Sequence, residues 1–244
     1  MASVYAMLPD FPEGAPCWAD ARLPDVEAGK RFYGDLFGWA FDEGAGAERG
    51  FYTAAYSEDR AVAALAPGPP AWRVHFAVRD AYAAAERVVA AGGRLVSGPV
   101  SDGAVATVAL AAGPDGALFG LWQAGSHQGF ERTGAPGALC RVELRTPDAA
   151  RGDSFRAAVF GTPATADARL WRSGGPAAPE VSRRLVPGRA ARFLPHFGAA
   201  DVPGGCAEAV RLGARVLQAP HESPYGPLAV LTDDQGAAFA LCAV

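Results

Sequence analysis

Apolar and polar positions alternate with period two over Cys17–Leu23 and again over Val74–Val78, as in strands that bury one face. Each run leads into a helical pattern headed by an aspartate. Pro24-Asp25 precedes Val26–Phe37, with apolar residues at Val26, Tyr33, Leu36 and Phe37 and Gly38 as the stop. Asp80 precedes the Ala-rich Tyr82–Ala91, which Gly92-Gly93 closes. An aspartate N-cap and a glycine past the last turn satisfy the backbone groups that a helix leaves open at its ends. Shorter alternating segments follow: Phe51–Tyr56 and Ala61–Leu65 after the first helix, Val105–Ala109 and Leu118–Trp122 after the second. The predicted unit is a strand and a helix followed by two or three strands.

The chain then repeats itself. Cys17-Trp18-Ala19-Asp20-Ala21-Arg22-Leu23-Pro24-Asp25 recurs as Cys140-Arg141-Val142-Glu143-Leu144-Arg145-Thr146-Pro147-Asp148, and in the same register Phe37-Gly38 matches Phe160-Gly161. Trp72–Asp80 corresponds to Phe193–Asp201, and Gly116–Trp122 to Gly236–Cys242. So many aligned matches identify a tandem duplication. Residues 12–124 and 137–244 are assigned as two domains, with a Gly-, Ser- and Pro-rich linker over 125–136.

Composition narrows the class. Half of the 244 residues are hydrophobic, a fifth are charged, and the formal charge is −4, so no basic field points to nucleic acid or an anionic membrane. Met1–Asp10 lacks the cationic start and apolar core of a signal peptide, and no apolar run reaches the roughly 18–20 residues of a membrane span. The expected location is the cytoplasm. Cys17, Cys140, Cys206 and Cys242 form no CxxC or Cys/His cluster and read as reduced, packed thiols. Ile and Asn are absent and Lys30 is the one lysine, a bias for which a GC-rich genome is a sufficient cause.

The run Pro24-Asp25…Phe32-Tyr33…Leu36-Phe37-Gly38-Trp39 and the closing Gly113-Pro114-Asp115-Gly116-Ala117-Leu118-Phe119-Gly120-Leu121-Trp122 resemble the vicinal oxygen chelate superfamily. That superfamily includes glyoxalase I, extradiol dioxygenases and bleomycin-resistance proteins. The resemblance covers nearly the whole chain, twice, and implies an α+β fold: a tandem duplication of vicinal-oxygen-chelate domains, with four βαβββ-like modules forming curved sheets around cavities. It also implies a small-molecule ligand, but not the chemistry, because one scaffold hosts several. Metal-binding members use His, Gln or Glu at positions that map onto Trp18, Arg73 and Gly120, and onto Arg141, Leu194 and Ala240. None of the six supplies a metal ligand, so no metal and no other cofactor is expected.

Alternation then assigns the cavity faces. With Trp18 inward, Asp20 and Arg22 follow, and so do Arg141, Glu143 and Arg145, Arg73, His75 and Ala77, and His196 and Gly198, while Cys17, Ala19, Ala21 and Leu23 face the helix. Module pairing would bring Asp20 to His75 and Glu143 to His196 as acid–base pairs. The same inward groups equally suit a structural ion-pair network with satisfied histidines. Trp18, Trp39, Tyr52, Trp72 and Trp122 weight the first half, against Trp171 and Tyr225 in the second. Trp18 and Trp122 would stack on a planar ligand, with room left by Gly120 and Ala77. Arg22, Arg73, Arg141 and Tyr225 complete the substrate-binding set. His127 in the linker and His221 in a Pro-rich loop read as surface residues.

The leading functional expectation is a metal-independent enzyme acting on an aromatic, polyketide-like natural product by cyclisation, dehydration or ketal-type ring closure. The alternatives are a drug- or intermediate-sequestering protein of the bleomycin-resistance type and a metal-dependent glyoxalase or dioxygenase. A monomer is favoured over a homodimer, because the duplication supplies the pairing internally.

Overall fold

The computed structural model describes residues 11–42, 52–161, 169–171 and 179–244. Met1–Asp10, Phe51 and the Trp171 side chain, read above from sequence, lie outside the described residues. The first half runs β1 (Pro16–Leu23), α1 (Val26–Phe37), β2 (Ala40–Phe41), β3 (Thr53–Ser57) and β4 (Arg60–Pro67), then β5 (Ala71–Ala77), α2 (Ala81–Ala90), β6 (Arg94–Asp102), β7 (Ala106–Ala112) and β8 (Leu118–Ala124). The second half repeats it: β9 (Leu139–Thr146), α3 (Ala149–Phe160), β10 (Arg169–Trp171) and β11 (Glu180–Leu185), then β12 (Arg192–Ala199), α4 (Val202–Arg211), β13 (Arg215–Ser223), β14 (Gly226–Thr232) and β15 (Ala238–Ala243).

Each half forms one sheet, in the orders β2-β3-β4-β1-β5-β8-β7-β6 and β10-β11-β9-β12-β15-β14-β13. The sheets are curved and open, not closed barrels, and the two modules of each half meet at an antiparallel pair, β1 with β5 and β9 with β12. All four helices start on an aspartate whose side chain accepts a backbone N–H: Asp25 from Ala28, Asp80 from Tyr82 and Ala83, Asp148 from Arg151 and Asp201 from Gly204. Each such cap contributes about 1 kcal/mol. Gly38 and Gly161 end α1 and α3 in the left-handed conformation, at φ 70° and 68°.

The helix-covered sides of the two sheets meet in a shared core. Phe76 and Phe119 interlock with Phe155, Phe160 and Phe193, while Tyr33, Trp39 and Trp72 pack with Phe197 and Phe239. The buried Tyr33 hydroxyl donates to Asp233 (2.7 Å) and accepts from Trp72 Nε1 (2.9 Å). This arrangement aims the opposite, concave sheet faces away from each other.

One strand goes unmarked in the sequence, and one sequence assignment changes. β6 carries no alternating pattern because it is a largely exposed edge strand, paired only with β7 and broken in register near Leu95–Ser97 and Ser97–Val100. An edge strand is held by backbone bonds from one side, so burial does not mark it. By the same physics His221 lies at the end of the equivalent edge strand β13, not in a loop.

Candidate functional site

The site is built on the central pair of the first sheet. In the β1–β5 ladder Trp18 stands opposite His75 and Asp20 opposite Arg73, so Asp20 and His75 are diagonal neighbours on the concave face. Asp20 Oδ2 lies 2.5 Å from His75 Nε2, and Asp20 Oδ1 accepts from Arg22 Nε at 2.8 Å. Burial of Asp20 raises its pKa. The hydrogen bond and charge of His75, with the charges of Arg22 and Arg73, outweigh that and hold the carboxyl below its ordinary value. Whenever the imidazole carries a single proton, Asp20 holds that proton on Nε2 and leaves Nδ1 with a lone pair. Nδ1 is buried and has no hydrogen-bond partner among the described residues. The imidazole fills the space expected over Gly120, where an added Cβ would collide with the ring.

His75, Asp20 and Arg22 line a cavity of about 590 Å³ together with Tyr52, Trp122 and His127. The Tyr52 oxygen accepts from Trp18 Nε1 at 2.5 Å. Burial, reinforced by the Asp20 charge and opposed by the Trp18 bond, lifts the Tyr52 phenol well above its usual pKa. Tyr52 is thus a neutral O–H donor facing the cavity.

The linker is a wall of this cavity rather than a free tether. Phe130 N–H donates to Cys17 O and Glu131 N–H to Ala61 O, which lays the segment across the first sheet. His127 is half-buried, not a surface residue. Its Nδ1 accepts from Gly129 N–H at 3.0 Å, and burial lowers its pKa against the raising effect of Glu131. Its neutral ring therefore carries the proton on Nε2.

Trp18 is fully buried beneath His127 and Phe130, with ring centroids 4.5 and 5.4 Å away. It braces Tyr52 and offers no stacking face to a ligand, whereas Trp122 does line the cavity. Arg73 faces Asp20 but is not among the lining residues. Tyr52 and His127 are additions to the sequence-derived set. Tyr52 was within reach, because the alternation Tyr52, Ala54, Tyr56 places all three on the cavity side.

The second half keeps the strands but not the pair. Glu143 accepts from Arg145 Nε at 2.5 Å and does not reach His196, both of whose ring nitrogens are buried without partners among the described residues. Burial, with the nearby Arg141 and Arg145, lowers the His196 pKa to about 3. Arg141 lies with its guanidinium 3.8 Å above the Tyr225 ring. The adjoining concave surface is a buried apolar cluster of Leu194, Leu228, Val230, Ala240 and Cys242. The equivalent acid–base pair expected here does not form: Glu143 turns to Arg145 without a second contact to His196.

A model of the glyoxalase-like domain matches residues 19–122 and again 141–242. The chain belongs to the glyoxalase-like family. That assignment agrees with the vicinal oxygen chelate fold read from sequence. The anthracycline biosynthesis protein DauV of Streptomyces sp. (strain C5) is 34% identical over 260 residues, covering 95% of this chain and 94% of DauV. The 2,3-dioxygenase LapB from Pseudomonas sp. KL28 superposes with a TM-score of 0.65 at 15% identity, over 96% of this chain and 93% of LapB. The Mn(II)-bound glyoxalase from Novosphingobium aromaticivorans gives 0.63 at 17% identity, over 96% and 83%.

Glyoxalase-like and dioxygenase scaffolds imply a divalent metal, and the donors among the described residues do not fit one. Asp20 commits its two oxygens to Arg22 and His75, and His75 commits Nε2 to Asp20. Among the described residues no group of three or more His, Cys, Asp or Glu side chains converges in a metal-holding arrangement. Nor do the described residues include a helix long and apolar enough to cross a membrane.

Proposed function

We propose that this protein is an enzyme of secondary metabolism that acts without a metal on an aromatic, polyketide-like natural product. The reaction class is a cyclisation, dehydration or ketal-type ring closure run by acid–base catalysis. One observation carries the reading: an Asp20-anchored His75 on the wall of a 590 Å³ cavity, with its second ring nitrogen buried and unpartnered among the described residues. The name of the relative DauV, anthracycline biosynthesis protein, supports an aromatic polyketide as the substrate class.

In this reading the His75 ring shifts off Gly120 while keeping Nε2 on Asp20, Nδ1 then takes a proton from a substrate carbon or hydroxyl, and Asp20 stabilises the imidazolium that results. Tyr52 and Arg22 hold a carbonyl or departing oxygen, Tyr52 supplies the proton that lets it leave as water, and His75 returns a proton through solvent. Trp122 gives a flat apolar surface to the ring system.

The test is incubation with aromatic polyketide aglycones of the anthracycline class, with products followed by mass spectrometry. Turnover is expected, reduced about 10²–10⁴-fold in His75→Ala and Asp20→Asn. An aglycone bound stoichiometrically and recovered unchanged would establish sequestration instead. Stoichiometric metal in the active protein, with activity lost on chelation, would establish the metal-dependent reading.

A further inference from the structure

The mouth of the cavity carries a charge bias that the acid–base step does not use. Among the described residues four carboxylates line the cavity, Asp20, Asp42, Asp102 and Glu131, against the single guanidinium of Arg22. Asp20 is committed on the wall. The other three stand exposed, and among the described residues none of them forms an ion pair. Asp42 Oδ1 accepts from Ala54 N–H (3.1 Å) and Glu131 Oε2 from Ala61 N–H (2.8 Å), so each keeps one oxygen uncommitted.

These two carboxylates line the cavity together with Tyr56, whose phenol pKa is raised by burial and then by the charges of Asp42 and Glu131. A wall that carries an aromatic ring and two carboxylates presents what an ammonium group binds: acceptors for its N–H donors, opposite charge, and a π-face. A cleft lined by one sign of charge also concentrates ligands of the other sign and repels its own. Separately, the cavity of about 590 Å³ runs from this mouth to His75 and Trp122, room for a planar ring system behind an ammonium group.

We infer that the ligand of this cavity is an aromatic molecule bearing a protonated amine. The amine sits at the mouth between Asp42, Glu131 and the ring of Tyr56, and the ring system reaches in to Trp122 and His75. This rests on the cavity being the reaction site, and it adds a charge requirement to the substrate class.

Calorimetric titration of the whole protein with aminomethyl-, hydroxymethyl- and carboxy-anthraquinone tests it, since these probes share one planar ring system and carry a positive, neutral or negative small substituent. The ammonium probe is expected to bind about tenfold more tightly than the hydroxyl probe, and the carboxylate more weakly than both. That ratio is expected to shrink from about 20 mM to about 500 mM salt and to collapse in the Asp42→Asn/Glu131→Gln double variant. Equal affinities, no binding of the ammonium probe, or preference for the carboxylate overturns the inference. The two proposals fail separately. Turnover lost in His75→Ala without a charge preference sinks only the ammonium requirement. A charge preference with turnover unaffected in His75→Ala sinks only the acid–base step.

Discussion

His75 and His196 hold equivalent places on β5 and β12, opposite Trp18 and Arg141, yet their surroundings make them different groups. His75 has a carboxylate, whereas His196 has only burial and two guanidinium charges, which lower its pKa to about 3. An unfolded chain takes up the His196 proton near pH 6.5, while the native state stays neutral down to about pH 3. Stability from this site is therefore complete above pH 6.5 and is lost as pH falls. By pH 5 the loss is about 2 kcal/mol. Urea unfolding at pH 7 and pH 5 measures it, and His196→Gln should lack that increment. An unchanged difference in the variant would refute the assignment. The lowered carboxyl of Asp20 acts in the same direction, but only below about pH 4.

Elements were legible where side chains declare them. Val26–Phe37 is read to the residue because Asp25 caps one end and Gly38 closes the other. α3 is different. It buries Asp153 and Arg156 beside Phe155 and Val159, so its own amphipathic pattern is blurred, and the repeat locates it. The linker was not legible as a cavity wall, because backbone bonds such as Phe130 N–H to Cys17 O leave no periodic trace. Its anchor is Phe130, which is 1% exposed and packs on Trp18 and Phe11. Phe130→Ala is expected to cost about 3–5 kcal/mol and to wet Trp18, seen as a lower urea midpoint and red-shifted tryptophan emission. A change below about 0.5 kcal/mol, the usual range for surface sites, would mean that the linker is not an anchored wall.

The two halves read from sequence as separate domains share one core, and polar ties cross between them. Tyr33 reaches Asp233, and Gln235 both accepts from Asp25 N–H and donates to Asp25 O. Alternation could place Glu143 and His196 on one face. It could not show that Arg145 would win the carboxylate, because that is settled by competition between neighbours. Shared burial predicts one cooperative thermal transition, with calorimetric and van't Hoff enthalpies equal at about 170 kcal/mol near 60 °C. Two resolved transitions would show that the halves unfold independently.

The contact between His75 and Gly120 also constrains how such a site can change. An imidazole at 75 and any side chain at 120 claim the same volume, so the two positions are mutually exclusive and their mutations are epistatic. A lineage that gained a larger residue at 120 first would displace the ring from Asp20 before any new chemistry was available. The passable order is loss of the imidazole first and growth at 120 second, a two-step route whose intermediate lacks both devices. A missing side chain, by this reasoning, acts as a ratchet on the history of the cavity.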